Sequence, residues 1–382
     1  MRNTWKIYML ALIGFFVGTS EFVIAGILDK VADSANISVS AAGQLITVFS
    51  IGYAFGPPLI MMAAAKMDRR KLLIIALAIL VVGSIMTAVL SGYLFLILSR
   101  IILSVGTGVF VITSMTVAPQ LAAPERQAGA IATVMAGFSA ALVIGIPAGR
   151  IIASVYDWRV IFWGIGVLSL LSILAITRVI PKTEGEAPVS LGEQLALLKS
   201  PRISSVLGVT FFVFVGFSAV NTFMTPFLFS VAPISERIMS IVLFALGIGS
   251  LIGSKLGGFL GDRSGTSKTL YATMILQILA LALVSVIPGS LIVTVPLLML
   301  WSIGAWAFST VQNFNLLSVA PTASGILLSL NMFFVQIGIA AGAGIGGFGA
   351  DYSMQSISWI GAASVAIALI ITTISSRMKK KA

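Results

Sequence analysis

Glu21 and Arg100 are charged residues in stretches of sequence that are otherwise continuously apolar. Of the twelve acidic residues, Glu21 is the only one placed well inside such a stretch. An ionised carboxylate in hydrocarbon costs several kcal/mol unless it is paired, hydrated or neutralised, so Glu21 is expected to face a cavity. Exposed to water on alternate sides of a barrier, such a carboxyl can bind a proton on one side and release it on the other. The plainer alternative is a permanently protonated structural group. Arg100 is the matching cation. Counted from the ends of their own stretches, both residues sit roughly 10 Å deep at 1.5 Å of rise per residue and on the same side, so they could pair. The competing reading is a guanidinium that organises backbone carbonyls or snorkels outward. Lys255 also falls in an apolar stretch, but close enough to its end to snorkel.

Uncharged polar side chains gather in the second half: Asn221 and Thr222, then Gln312, Asn313 and Asn315, then Asn331 and Gln336. Amides in hydrocarbon need partners, and their commoner use is to bond one helix to the next. With Phe217, Trp306 and Phe333 nearby they could instead line a pocket for a flat polar heterocycle. The candidate cavity is Asn221, Trp306, Gln312, Asn315, Asn331, Phe333 and Gln336. Gly137, Gly145, Pro147 and Gly149 share one apolar stretch, where glycine allows close helix contact and proline removes a backbone hydrogen bond and bends the chain, so this stretch is a candidate pivot. Gly338, Gly342, Gly346 and Gly347 echo it further on.

The composition says what must position these residues. With 58% hydrophobic and only 9% charged residues, and a mean hydropathy of +1.11, the chain lies far outside the soluble range. It holds about twelve apolar stretches of roughly twenty residues, the length a helix needs to cross about 30 Å of hydrocarbon. They fall at roughly 5–28, 42–65, 72–90, 94–118, 129–154 and 159–180, then at roughly 204–231, 238–261, 268–288, 291–318, 324–349 and 357–376. A barrel would alternate polar and apolar residues in short strands; continuous runs must satisfy their backbone internally, as helices. The first run contains Glu21 and lacks a convincing cleavage site, so it reads as a span and not as a signal peptide.

The net charge of +11 could suggest a nucleic-acid partner, but the basic residues sit in the loops. With a cytoplasmic N-terminus, about seventeen fall inside, from Arg2 and the Lys66 to Lys71 cluster to the Arg377 to Lys381 tail, against about three outside: Lys30, Arg159 and Arg237. That asymmetry predicts both termini in the cytoplasm and no nucleic-acid binding. The absence of Cys and His excludes disulfides, thiol redox chemistry, imidazole-held zinc or haem, and histidine-dependent catalysis. No GxxxxGK[ST] loop is present, and one buried carboxylate cannot assemble an acid, a base and a nucleophile, so neither an enzyme nor a cofactor is expected.

The longest loop, about 181–203, separates a first bundle at 1–180 from a second at 204–382. In it Ser190 can cap a short interfacial helix from Leu191 to Lys199, with Leu191, Leu195 and Leu198 on one face. The halves repeat at an offset of about 200 residues. Gly52, Gly56, Lys66 and Lys71 fall on Gly249, Gly253, Arg263 and Lys268; Ala118-Pro119 on Ala320-Pro321; Gly137, Gly145 and Trp158 on Gly338, Gly346 and Trp359. An even number of spans per repeat makes the repeats parallel. The expected fold is therefore an all-α membrane protein of twelve transmembrane helices, in two parallel six-helix bundles about a pseudo-two-fold axis along the membrane normal, with a pathway between them.

Gly258, Asp262, Arg263, Gly265 and Lys268 spell a GxxxDRxGxxK loop between two spans. Its first-half counterpart is degraded: Ala65 replaces the acidic position and Asp68 the second glycine, while Lys66, Arg69, Arg70 and Lys71 keep the charge. Arg100 with Gly106 and Gly108, the segment Gly145-Ile146-Pro147-Ala148-Gly149, the segment Gly18-Thr19-Ser20-Glu21-Phe22, and Trp158-Arg159 add further motifs. On these residues the chain resembles the major facilitator superfamily, in particular the bacterial drug:proton antiporter-like branch that includes arabinose-efflux-like and purine-efflux permeases. The resemblance covers nearly the whole chain. It implies cytoplasmic gating by the two loops, without a strict salt bridge through Ala65. The Gly145 to Gly149 segment looks like the exporters' signature and implies efflux. Gln312, Asn331 and Gln336 look similar to amides at matching places in purine-efflux permeases.

The expectation is a monomeric transporter of the bacterial inner membrane that exports a small organic solute, a purine base, nucleoside or drug-like compound, in exchange for protons. Glu21 carries the proton and Arg100 is its electrostatic partner. The alternatives are sugar efflux or facilitated uptake by the same fold, and a membrane sensor or scaffold without flux, which short loops disfavour.

Overall fold

Lipid offers a backbone N–H or C=O no partner, so each apolar stretch closes its own hydrogen bonds as helix. The computed structural model of the chain describes residues 4–182, 192, 196–287, 290–319 and 324–381, and among these no strand occurs. The helices are α1 (Thr4–Gly26), α2 (Leu28–Ala35), α3 (Val39–Ala63), α4 (Arg69–Val89), α5 (Tyr93–Gln120), α6 (Gln127–Ala140), α7 (Ile146–Val155), α8 (Arg159–Val179), α9 (Pro201–Thr222), α10 (Met224–Val231), α11 (Glu236–Ser264), α12 (Thr266–Val286), α13 (Leu291–Val319), α14 (Ser324–Tyr352) and α15 (Ser356–Lys381). Among the described residues, twelve spans are long and apolar enough to cross a membrane, as expected from the sequence. Large apolar side chains such as Leu170, Leu171 and Leu174 are more than half exposed, an outer surface suited to lipid and not to water.

Three spans differ from simple continuous helices. The first stops at Gly26; Ile27 leaves helical geometry (φ −128°, ψ 22°) and the short α2 follows. The seventh stops at Thr222, Phe223 breaks it (φ −104°, ψ 16°), and α10 resumes. Pro226 explains that second break, because it has no N–H to give the Thr222 carbonyl and its ring crowds that oxygen. In the fifth span, α6 and α7 are joined by a π-helical turn, Ala141–Gly145, in which the Ile146 N–H reaches back to the Ala141 carbonyl. Pro147 cannot donate to Val143, and the wider turn accommodates the missing bond.

The chain forms two compact units, Met1–Ser38 with Val48–Pro188, and Val39–Thr47 with Val189–Ala382. In the first, α1 packs on α6 and α7, and α4 packs on α5 and α8. In the second, α9 packs on α14 and α15, and α13 on α11 and α12; the start of α3 joins it through Thr47 Oγ1, which donates to the Ala340 carbonyl at 3.2 Å. Lipid gives helices no hydrophobic reason to associate, so contact depends on close approach at small residues. A Cβ on Gly137 would strike the Ala11 carbonyl, and one on Gly338 would lie 2.7 Å from the Phe211 carbonyl. These are matching contacts in the two halves, at the offset of about 200 residues. Ser190, Leu191, Leu195 and the Ala320-Pro321 pair lie outside the described residues, as does Arg2; of the expected interfacial helix, Ala196 and Leu197 are helical.

Candidate functional site

α1 and α5 bring Glu21 and Arg100 together within the first unit. Arg100 is 1% exposed. Its Nη2 donates to the carbonyls of Ser20 at 3.0 Å and Glu21 at 3.4 Å, so it organises backbone carbonyls, the plainer of its two expected uses. It also interacts electrostatically with Glu21, as does the buried Tyr53 of α3. The guanidinium lies 4.8 Å from the ring centroid of Phe49 and 5.8 Å from that of Phe162. Each such cation–π contact is worth about 0.5–2 kcal/mol, more where water is excluded. Nε and Nη1 of Arg100 are buried with no hydrogen-bond partner among the described residues. The cation is thus held at one edge, beside a carboxyl. Lys255 is exposed, in keeping with snorkelling.

The candidate pivot runs along α1. Gly137 faces Ala11, Gly145 faces the Thr19 side chain and Gly149 faces Val23, with Pro147 buried in the first turn after the π segment. This line of contacts ends at a residue that the sequence reading passed over. Arg150 is fully buried, and its Nη1 donates to Asp29 Oδ1 at 2.5 Å and to the Gly26 carbonyl at 3.2 Å. It therefore caps the C-terminal end of α1 where that helix breaks, a favourable place for a cation. The statement that, Arg100 and Lys255 apart, the basic residues lie in loops fails at Arg150. The signal was available, since Arg150 directly follows Gly149 within the fifth span.

The amides of the second unit are brought together in part. Gln312, 2% exposed, donates through Nε2 to the Val206 carbonyl at 2.9 Å and to Thr210 Oγ1 at 3.0 Å. Thr210 in turn donates to Asn331 Oδ1 at 2.8 Å. Asn331 Nδ2 donates to Asn313 Oδ1 at 3.4 Å, and Asn315 Nδ2 to Gln312 Oε1 at 3.3 Å. This chain ties α9, α13 and α14. Thr210, its central member, was not singled out from the sequence. Trp306 belongs to a separate aromatic group: its ring stands at 89° to Phe217, 6.4 Å away, while Phe217 stacks on Trp301 at 5.5 Å and 20°. The side chains of Asn221 and Gln336 join neither group, and Phe333 meets Phe334 at 5.8 Å. Gln336 Oε1 and Trp301 Nε1 are buried with no hydrogen-bond partner among the described residues.

The two loops end their helices differently. Asp68 N-caps α4, its Oδ1 accepting from the Arg70 N–H at 2.8 Å with φ at −53°, whereas Gly265 sits at φ +87° between α11 and α12. A left-handed residue is needed only in the second loop, which is why glycine is kept there and not at Asp68. Arg69 is 5% exposed; Lys66, Asp262, Arg263 and Lys268 are exposed, and Gly258 is half-buried.

A family model described as Major Facilitator Superfamily matches residues 10–343. The chain is 45% identical over 371 residues to the uncharacterized MFS-type transporter YbcL of Bacillus subtilis (strain 168), covering 97% of this chain and 95% of the relative. It is 28% identical to the inner membrane transport protein YdhP of Escherichia coli (strain K12), covering 99% and 97%. Among solved structures it is similar to a bacterial homolog of the human lysosomal transporter Spinster in an inward-facing, occupied conformation, with a TM-score of 0.81, 17% identity and coverage of 98% and 97%. It is also similar to the nucleoside transporter NupG, with a TM-score of 0.75, 16% identity and coverage of 97% and 99%.

Proposed function

Because the chain belongs to the major facilitator superfamily, whose members are transporters and not enzymes, we propose that it exports a small organic solute in exchange for protons, with Glu21 as the proton carrier. What carries the reading is the buried Arg100 held against α1 at Glu21. With Glu21 ionised the pair is neutral. With Glu21 protonated, the unit holds a buried cation, and a lone charge in that setting costs several kcal/mol unless water or another group meets it. Protonation therefore changes which environment the site favours, and that is the coupling a proton-driven exchanger needs.

The π turn and the glycine contacts of α1 with α6 and α7 support Gly137, Gly145, Pro147 and Gly149 as a pivot. The Asp68 cap and the left-handed Gly265 support the two loops, with Lys66, Arg69, Arg70, Gly258, Asp262, Arg263 and Lys268, as fixed corners for gating. Flat substrates, a purine base, a nucleoside or a drug-like ring, suit the Phe217, Trp301 and Trp306 group. Gln336, with a buried acceptor in hand, is the amide best placed to spend a bond on a solute, with Asn221 and Phe333 as further lining. Gln312, Asn315 and Asn331 bond chiefly to one another and to α9, which leaves them fewer bonds for a solute. The charge asymmetry of the loops and the name of the E. coli relative support an inner-membrane protein with both termini cytoplasmic, and the family pattern supports a monomer.

The test is uptake of labelled purine bases and nucleosides into proteoliposomes under an imposed pH gradient. Wild-type flux should follow the gradient, and Glu21→Gln should keep substrate exchange while losing gradient-driven accumulation. Flux indifferent to both the gradient and Glu21→Gln would refute the coupling.

A further inference from the structure

At the basic end of the second unit, the ends of α9, α12, α13 and α15 enclose a cavity of about 420 Å³, within the usual range of about 300–1,000 Å³ for small-molecule sites. It is lined by Arg202, Tyr271 and Ser376, by the amides Gln312 and Asn315, and by aliphatic side chains that include Val206 and Val209. From Ser200 to Val209 the cavity follows α9 for about 13 Å at 1.5 Å per residue. Among the described residues that line it there is no carboxylate, and Arg202 is the one charged group. Two helices begin at the mouth, α9 after Ser200 and α12 after Gly265, and neither start is capped by a side chain. Their positive dipole ends, and the free N–H groups that follow Pro201 in α9 and begin α12, add to the guanidinium. Tyr271 Oη and Ser376 Oγ bridge α12 and α15 at 3.2 Å, holding the rim.

A guanidinium and two uncapped helix starts on a slot whose surface is mostly apolar, with the Gln312 and Asn315 amides in its wall, match one chemistry, an anionic oxygen cluster joined through a polar linkage to hydrocarbon. We propose that this cavity holds the phosphoryl headgroup and first acyl carbons of an anionic phospholipid, with Arg202 as the anion ligand. Basic pockets between transmembrane helices are suited to such headgroups. A free phosphate would satisfy Arg202 but leave the slot beyond it unused. The site lies wholly within one unit and uses neither Glu21 nor Arg100; Gln312 and Asn315 are the residues it shares with the proposed solute cavity.

Native mass spectrometry of the purified full-length protein, equilibrated with equimolar dioleoyl phosphatidylglycerol and dioleoyl phosphatidylcholine, tests the assignment. The wild type should retain phosphatidylglycerol preferentially, and Arg202→Gln should lower that preference roughly tenfold, the worth of a hydrogen bond to a charged group. Arg202→Lys should keep part of it. Ser205→Leu, which fills the cavity and leaves Arg202 in place, should lower retention as well, whereas Arg178→Gln, an equal charge change in the first unit, should not. Equal retention of the two lipids by the wild type, or an equal loss in Arg178→Gln, overturns the proposal. So does calorimetric binding of inorganic phosphate with no preference between the lipids, which would assign the site to the free anion.

Discussion

Arg150 and Asp29 make a pair whose two halves should not be equally dispensable. The Arg150 side chain is 0% exposed and that of Asp29 is 22% exposed. Breaking a fully buried ion pair by removing one partner costs about 3–5 kcal/mol, because the remaining charge is stranded. Asp29→Ala takes the carboxylate from the fully buried cation and leaves it neutral contacts such as the Gly26 carbonyl; allowing for solvent at the Asp29 side, the cost should be about 3 kcal/mol. Arg150→Met strands a carboxylate that water already reaches and replaces the guanidinium with apolar volume, so the cost should be about 1–2 kcal/mol, mostly the lost bond to Gly26. The double variant should resemble Arg150→Met alone. Equilibrium unfolding of purified protein in mixed SDS and dodecyl maltoside micelles measures all three. If Arg150→Met proves as costly as Asp29→Ala, or if the two costs simply add, then the pair is not what fixes the end of α1.

Two further outcomes follow from contacts within single units. Gly137→Leu must push against the Ala11 carbonyl, whereas Gly129, with nothing within 4 Å of an added Cβ, has room; Gly137→Leu should lower the unfolding midpoint by the equivalent of about 1–3 kcal/mol or more, with Gly129→Leu near neutral. Thr210→Val removes the hydroxyl that joins Gln312 to Asn331 and should cost about 1–3 kcal/mol in unfolding while leaving the transport KM within about twofold. A large KM change without destabilisation would place Thr210 against the solute instead.

The twelve spans were legible because lipid permits no other fate for so long an apolar run, and the requirement acts on the run and not on particular residues. The breaks inside spans obey a different rule. At Phe223 the cause is local and was written in the sequence as Pro226, masked by unbroken apolarity on both sides. At Ile27 the only local mark is Gly26, common enough in such spans to say little; the close approach of Gly26 to Ile146 and the reach of Arg150 from α7 are tertiary facts. Residue type identified the amides, but their partners depend on which helices meet. Gln312 spends its donors on Val206 and Thr210, and a spent donor is unavailable to a solute. The same criterion separates the polar residues by use. Arg150, Gln312 and Asn331 have bonds that close within one unit and stiffen it, whereas Gln336 retains a buried acceptor whose desolvation, about 1–3 kcal/mol, is recovered only when something donates to it. The proposed exchange needs stiff units of this kind, since soft ones would absorb the free energy of solute binding as local distortion instead of passing it to a change of state.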